Sequence, residues 1–323
     1  MKKKIQKVMK ACNPLSPQVT AGMVKFQNGH LIAYGGTFCI QVPVSVELDC
    51  AFRPQTLLAF YRKVRDGASF AVKGGKLRVK HKRETVTMKC LPSEEMAIID
   101  VFKEPRATKW IPKGAMKSLL ECVDPSHSVA AMQGICLRDG KLVATDGKVM
   151  LAIPCDIKAV DFVIPIDTFK FLSTCDEPVT GWAFDGASFK LWFEGGMTIC
   201  TRVIGSAEYP DIGKVLNQKL TPFYISEKVV DDIKTLDCDV LELTPKGVRY
   251  IADDDSIGTI RAEVDGDYRF AVRKKSFDTV FKINKGVKFF TNDVRSVIVG
   301  NGGKSFQSAC GVLAVDTFTK YGA

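Results

Sequence analysis

The chain is poor in the side chains that most often do chemistry. It has three histidines, His30, His81 and His127, and histidine is the commonest acid–base and metal-ligating residue. Its eleven cysteines are odd in number and include no Cys-x-x-Cys pair, which argues against a zinc ribbon or a fully paired disulfide framework. Most stand beside apolar residues, as in Phe38-Cys39-Ile40 and Ile199-Cys200-Thr201, and read as small reduced core residues. No apolar run approaches the ~18 residues that span a bilayer. The basic start, Met1-Lys2-Lys3-Lys4, runs into Ile5-Gln6-Lys7-Val8-Met9-Lys10, too charged for a secretory core. The expectation is a cytoplasmic protein with no metal, no cofactor and no membrane contact.

Catalytic fingerprints are also missing: there is no Gly-x-Ser-x-Gly, His-Glu-x-x-His or dinucleotide motif. Gly300-Asn301-Gly302-Gly303-Lys304-Ser305 ends like a phosphate loop, but Ile298 stands where that loop needs its first glycine. Strand-like sequence follows it, so it reads as a hairpin turn. Asp253-Asp254-Asp255 suits a hard cation on paper, yet three consecutive aspartates usually form a solvated loop. Asp146, before Gly147, is most simply a turn residue. The chain reads as a non-enzyme.

What is present is length, charge and repetition. With 323 residues, 46% hydrophobic and 25% charged, the chain can build two or three cores. Its net charge of +10 implies a polyanionic partner.

The stretch from Gln27 to Pro43 aligns without a gap to the stretch from Arg138 to Pro154, 111 positions later. Asn28-Gly29 matches Asp139-Gly140, and both dipeptides favour the tight type I′ turn of a hairpin. A weaker third copy alternates about Lys246-Gly247. Each hairpin is followed by a helix, at residues 53–64, 166–172 and 274–283. Two strands come after each: 69–72 with 76–79, 181–184 with 188–193, and 287–291 with 296–299. Opening helices are expected at 2–11, 113–122 and 227–236, the last with Ser226 as N-cap. The unit is about 105 residues, a normal domain size, which gives domains at 1–105, 106–217 and 218–323. Two larger domains are the rival organisation.

Three such domains in series, with Ala144-Thr145-Asp146-Gly147 in the middle one, resemble the bacterial replicase β sliding clamp, the β subunit of DNA polymerase III. Tyr209-Pro210-Asp211-Ile212-Gly213-Lys214-Val215-Leu216 is similar to that family's second linker. Ser308-Ala309-Cys310-Gly311-Val312-Leu313-Ala314-Val315 is similar to its final strand. The chain departs from the pattern at Lys148-Val149-Met150-Leu151, in its basic charge, and in the eight residues beyond Val315. These departures describe a divergent member of the kind a phage encodes.

The resemblance implies an α+β clamp fold and a homodimeric ring around double-stranded DNA. It implies a replicative polymerase, other clamp-binding-motif proteins and a clamp loader as partners. Carried over by position, the client-peptide pocket comprises Met132, Thr145, Gly147, Lys148, Val149, Met150, Pro210, Lys214, Val215, Val312 and Ala314. The helices that would line the hole carry Lys3, Lys7, Lys10, Arg62, Lys63, Lys113 and Lys117, then Lys170, Lys228, Arg273 and Lys274. A single charge run is usually a solvated face, but six helices with one sign bias suit sequence-independent phosphate attraction. The first-domain edge at Thr85-Val86-Thr87-Met88-Lys89-Cys90-Leu91 would form the dimer interface through Val86 and Met88. A decoy that binds clients without encircling DNA, and a monomeric basic DNA-binding protein, are the alternatives.

Overall fold

The two Asx-Gly turns fold the first pieces of sheet. Asn28 and Gly29 take φ of 50° and 71°, and Asp139 and Gly140 take 51° and 68°, the left-handed pair that a type I′ turn needs. Strand β1 (Val24–Gln27) thus returns on β2 (His30–Tyr34), and β9 (Gly134–Arg138) returns on β10 (Lys141–Thr145). A third strand follows in each: β3 (Phe38–Pro43) lies on β2 and β11 (Val149–Pro154) on β10. Each turn is closed by the same bond, from the Val44 N–H to the Gly29 carbonyl and from the Cys155 N–H to the Gly140 carbonyl, both 2.8 Å. Between β17 (Cys238–Thr244) and β18 (Gly247–Ala252) the register pairs Thr244 with Gly247, so the third turn falls one residue before the expected Lys246-Gly247 and Gly247 already belongs to β18.

The computed structural model describes the chain except residues 13–21, 65–66, 97, 101–102, 112, 212–219, 245, 253–255, 262–263, 266–269, 285–287, 293–296, 302–306 and 312–323. It divides into two compact units, Met1–Trp110 with Asp167–Ile204, and Ile111–Ile166 with Gly205–Ala323. Both draw on residues 106–217, because strand pairing runs across the domain limits expected from sequence.

The first unit opens with helix α1 (Lys2–Val8), extended by a 3-10 turn at Met9–Ala11. Its antiparallel sheet includes β4 (Cys50–Phe52), β5 (Ser69–Lys73), β6 (Lys76–His81), β7 (Glu84–Leu91), β8 (Arg106–Ala107), β13 (Val179–Phe184), β14 (Ser188–Phe193) and β15 (Thr198–Arg202). The eleven strands run in the order β5-β6-β7-β4-β1-β2-β3-β15-β14-β13-β8. Helix α2 (Pro54–Lys63) starts with proline, whose fixed φ and missing N–H suit the first turn. Its Leu57, Phe60 and Tyr61 are buried. Beneath it Phe26 stacks on Phe52 at 5.2 Å and meets Phe70 edge-on at 5.6 Å, favourable aromatic geometries. Helix α4 (Ile166–Leu172) is held to the sheet by Phe171 against Phe38, 5.5 Å between centroids, and by a 2.8 Å hydroxyl bond between Thr168 and Thr201.

The second unit contains helix α3 (Lys113–Glu121), a 3-10 turn at Ala130–Gln133 and β12 (Asp161–Pro165) beside β9. Helices α5 (Glu227–Thr235) and α6 (Lys274–Asn284) follow. Ser226 caps α5 by accepting the Val229 N–H, one of the four donors a helix start leaves free. The remaining strands are β16 (Leu220–Ile225), β19 (Ile257–Arg261), β20 (Val264–Asp265), β21 (Phe270–Arg273), β22 (Lys288–Asn292), β23 (Val297–Asn301) and β24 (Gln307–Gly311). One sheet runs β12-β9-β10-β11-β24-β23-β22-β16-β20 and another runs β19-β18-β17-β21. A methyl group on Gly134 would stand 2.4 Å from the Ile164 carbonyl oxygen and 2.6 Å from Val163 Cγ1. Only glycine lets β12 lie this close to β9 there. The phosphate-loop-like stretch lies between β23 and β24, which pair antiparallel from Asn301↔Gln307, so it connects a hairpin.

Candidate functional site

The Ala144-Thr145-Asp146-Gly147 stretch carries β10 into β11 by a turn built from its own side chains. Thr145 Oγ1 accepts the Gly147 N–H at 3.0 Å, and Asp146 Oδ1 accepts the N–H groups of Lys148 and Val149 at 2.8 and 2.7 Å. This is the local bonding that aspartate and threonine offer at turns, so Asp146 has a structural task. Gly147 takes φ +83°, and a Cβ there would meet Met132 Cε at 3.6 Å. The 3-10 turn at Ala130–Gln133 thus lays Met132 against the turn.

The candidate pocket residues then separate by exposure. Met132, Thr145, Val149 and Met150 are buried, Pro210 is half-buried, and Gly147 and Lys148 are exposed. Lys214, Val215, Val312 and Ala314 lie outside the described residues. Two further contacts organise this surface. Strand β24 pairs with β11 through Val149↔Cys310 and Met150↔Ala309. The buried Tyr209 hydroxyl donates to the Val143 carbonyl at 2.8 Å, which pins the Tyr209-Pro210 segment to β10. In the sequence Tyr209 stands only as part of a linker motif; its anchoring role comes from a bond 66 positions away.

Lys148, Arg273 and Lys274 were assigned to two different surfaces from sequence, yet they line one cleft of about 820 Å³. Its wall alternates these cations and Lys275 with Glu121, Asp146, Asp239 and Asp278. Four charges of each sign make it electrically balanced, so it is a poor polyanion site.

The candidate DNA-facing cations fall into two groups. Lys3, Lys10, Arg62, Lys63, Lys113, Lys117, Lys170, Lys228 and Arg273 are exposed, but Arg273, expected on a helix, ends strand β21 because the helix starts at Lys274. Lys7 is drawn to Glu177, and Lys274 bonds Asp278 at 2.7 Å. These two spend their charge within the protein, and the exposed Lys170 has the Asp167 carboxylate 3.8 Å away. Lys10 and Lys170 line a common hollow of about 440 Å³. Lys10 also bonds Thr174 Oγ1 at 3.3 Å and sits 5.6 Å from the Phe171 ring centroid.

The expected interface strand, β7, pairs with β6 over residues 84–89 but with β4 only at Cys90 and Leu91. Strand β5, not β7, ends the sheet order, yet residues 84–89 of β7 have no second neighbour among the described residues. Val86 and Met88 are half-buried there. In the second unit, β19 is a sheet edge among the described strands, and Ile257 on it is, with Val72, one of two large apolar side chains left exposed among the described residues. No local sequence signal marks it, since exposure depends on which strand finds a partner.

Thiol chemistry is held off by burial. It pushes Cys12, Cys50, Cys122, Cys136 and Cys200 up to about 12 and Cys175 and Cys238 up to about 11, far from a reactive thiolate. Among the described residues no cluster of three metal-ligating side chains occurs; Asp253-Asp254-Asp255 lies outside them. No described helix is long and apolar enough to cross a membrane.

No protein-family model and no curated protein sequence matches the chain. Solved structures do. The Helicobacter pylori β clamp bound to a DNA ligase peptide matches at a TM-score of 0.77 with 13% identity. The DNA polymerase sliding clamp from Bacillus subtilis matches at 0.77 with 14%. The DNA polymerase III β subunit from Thermotoga maritima matches at 0.72 with 15%. Each comparison covers 97% of this chain and 97% of the other. The chain has the α+β fold of the bacterial DNA polymerase III β sliding clamps.

Proposed function

We propose that the chain is the subunit of a non-catalytic DNA sliding clamp, with domains at 1–105, 106–217 and 218–323. The observation that carries this is the end-to-end likeness: 97% of each chain superposes on β clamps at 13–15% identity. A fold kept over the whole length, with no catalytic constellation among the described residues, fits a protein whose work lies in its shape.

The strand pairing supports ring closure. Strand β3 of the first hairpin pairs with β15, which ends the second domain, and β11 of the second hairpin pairs with β24, which ends the third. The same step once more joins β19 to a strand that ends a first domain, and that strand is β7. Within one chain β7 is open over residues 84–89, so β19 takes β7 of a second copy, and two such contacts close a homodimer. Carrying over the register Cys39↔Cys200 sets Ile257 beside Thr87 and Met88. Pairing both open edges removes an aggregation hazard.

The exposed cations Lys3, Lys10, Arg62, Lys63, Lys113, Lys117, Lys170 and Lys228, on the first five helices and the 3-10 turn that extends α1, attract duplex phosphates without reading sequence. The surface around Met132, Gly147, Lys148 and Pro210, completed by Lys214, Val215, Val312 and Ala314, receives short apolar motifs of a replicative polymerase and other clients. Methionine suits such a surface because it repacks easily. A clamp loader opens the ring, and the protein works in the cytoplasm, in a phage-infected host if the gene is viral.

The test is synthesis by a cognate polymerase on primed circular DNA. Longer products with the protein present are expected, and the gain disappears on a linear template with free ends, from which a ring slides off. No gain on the circle overturns the reading in favour of a decoy or a monomeric DNA binder.

A further inference from the structure

A concentration of charge with no ion pair among the described residues is on strands rather than helices. In the sheet of β5, β6 and β7, Lys76, Arg78 and Lys80 alternate along β6 with buried Leu77 and Val79. Register places Lys73 and Lys89 on either side of Lys76, Ala71 and Thr87 beside Arg78, and Ser69 and Thr85 beside Lys80. Side chains directly opposite share a face. One outward face therefore carries five cations, three hydroxyls and an alanine, with Lys82 and Arg83 at the adjoining turn. All of these residues are exposed. The one carboxylate on β5, β6 and β7, Glu84, is opposite His81 and belongs to the other face, where α2 packs against β7.

None of the five cations makes an ion pair or side-chain hydrogen bond among the described residues. Lys73, Lys76 and Lys89 stand in a row across three strands, a like-charge arrangement that destabilises a sheet. Edge lysines commonly deter aggregation, which accounts for Lys73 on β5 but not for three cations on β6, a strand paired on both sides. We propose that this face is a second nucleic-acid contact, which takes the phosphate backbone of duplex DNA.

Its chemistry selects that occupant. A protein partner needs an apolar or aromatic centre to its interface, and this face has none beyond one alanine. Single strands are held by stacking on aromatic platforms, and no aromatic faces outward here. Cations interleaved with serine and threonine hydroxyls are the usual contacts to duplex phosphates, made without base readout. The face is turned away from α2. Should helices line the hole, as the clamp reading has it, this contact lies outside the ring and holds a second stretch of duplex. That exterior location rests on the clamp reading; the contact itself does not.

The experiment uses the full chain, a labelled short duplex and fluorescence anisotropy between 50 and 200 mM NaCl. The triple variant Lys76→Gln, Arg78→Gln, Lys80→Gln removes three phosphate contacts and is expected to reduce the log–log salt slope by about 2.7. The wild type then loses about 40-fold more affinity than the variant across that range. A charge-keeping variant, Lys76→Arg with Lys80→Arg, retains the wild-type slope. The glutamine variant keeps its dimer mass and melts no lower than wild type, because it relieves repulsion. An unchanged slope overturns the proposal, as does tighter binding of polyglutamate than of duplex, which would mark an acidic protein as the partner. Failure of polymerase stimulation on circular DNA would remove the ring while leaving the anisotropy result standing.

Discussion

Strands β3, β11 and β19 are the third strands of three similar hairpin sheets, and they meet different fates. Strands β3 and β11 lie inside larger sheets, against β15 and β24, while β19 ends its sheet. Cys39 on β3 is opposite Cys200 and fully buried, whereas Ile257 at the start of β19 is 36% exposed. The local plan is the same, so the difference lies in whether a partner strand is available within the chain. If a second copy supplies the missing strand, placing a charge at Ile257 should be the most damaging surface change. Ile257→Lys is expected to convert a species of about 71 kDa, twice the subunit's 35.5 kDa, into monomer at micromolar concentration. Sedimentation equilibrium reads this directly, and an unaltered dimer would refute the assigned edge.

The hairpins also compare two reasons for glycine. Gly134 has ordinary backbone but no room, with Ile164 O 2.4 Å from a would-be Cβ; Gly29 has room, its nearest atom being 3.7 Å away, but φ of +71°. Gly134→Ala must push β12 from β9 and is expected to cost about 3 kcal/mol, in the overpacking range. Gly29→Ala bears only left-handed strain, about 1 kcal/mol. Denaturant unfolding of both variants checks the order, and equal losses would mean the close approach is easily relaxed.

Local chemistry was readable in the chain; distant partnership was not. Asn28-Gly29 and Asp139-Gly140 announce their turns because few other pairs tolerate positive φ. Pro54 and Ser226 mark the starts of α2 and α5, which run Pro54–Lys63 and Glu227–Thr235 within a residue or two of expectation. The Thr145–Gly147 turn was likewise foreseeable from its residue types. Nothing near Cys39 states that Cys200 is its neighbour, and nothing near Lys7 names Glu177 as its partner. These contacts are fixed by the packing of whole sheets, and so are the open edges at β7 and β19. The cationic face of β6 was visible only as a strand, because its uncompensated charge depends on what β5 and β7 place beside it.

A smaller effect separates the closed junction from the open one. Burial raises both Cys39 and Cys200, the latter to about 12 from 9.0. A thiol raised in the folded state contributes stability fully below its unfolded value. That contribution is lost as pH rises from about 9 toward the folded value, by at most about 1.4 kcal/mol per pH unit for each thiol. Unfolding free energy should therefore fall between pH 9 and 11, and Cys200→Val should make the fall shallower. An identical slope in the variant would mean that other groups set the alkaline limit.

The two open edges have one more consequence. Strand β7 and strand β19 are different surfaces of one chain, so the proposed pairing between copies is head to tail, and nothing in such a contact limits the number of copies joined. Two copies make a ring only if the angle between successive subunits closes; a few degrees of error leave a free edge at each end and permit indefinite addition. In the proposed ring, the angle that closes the dimer is thus also what would stand between the protein and a filament.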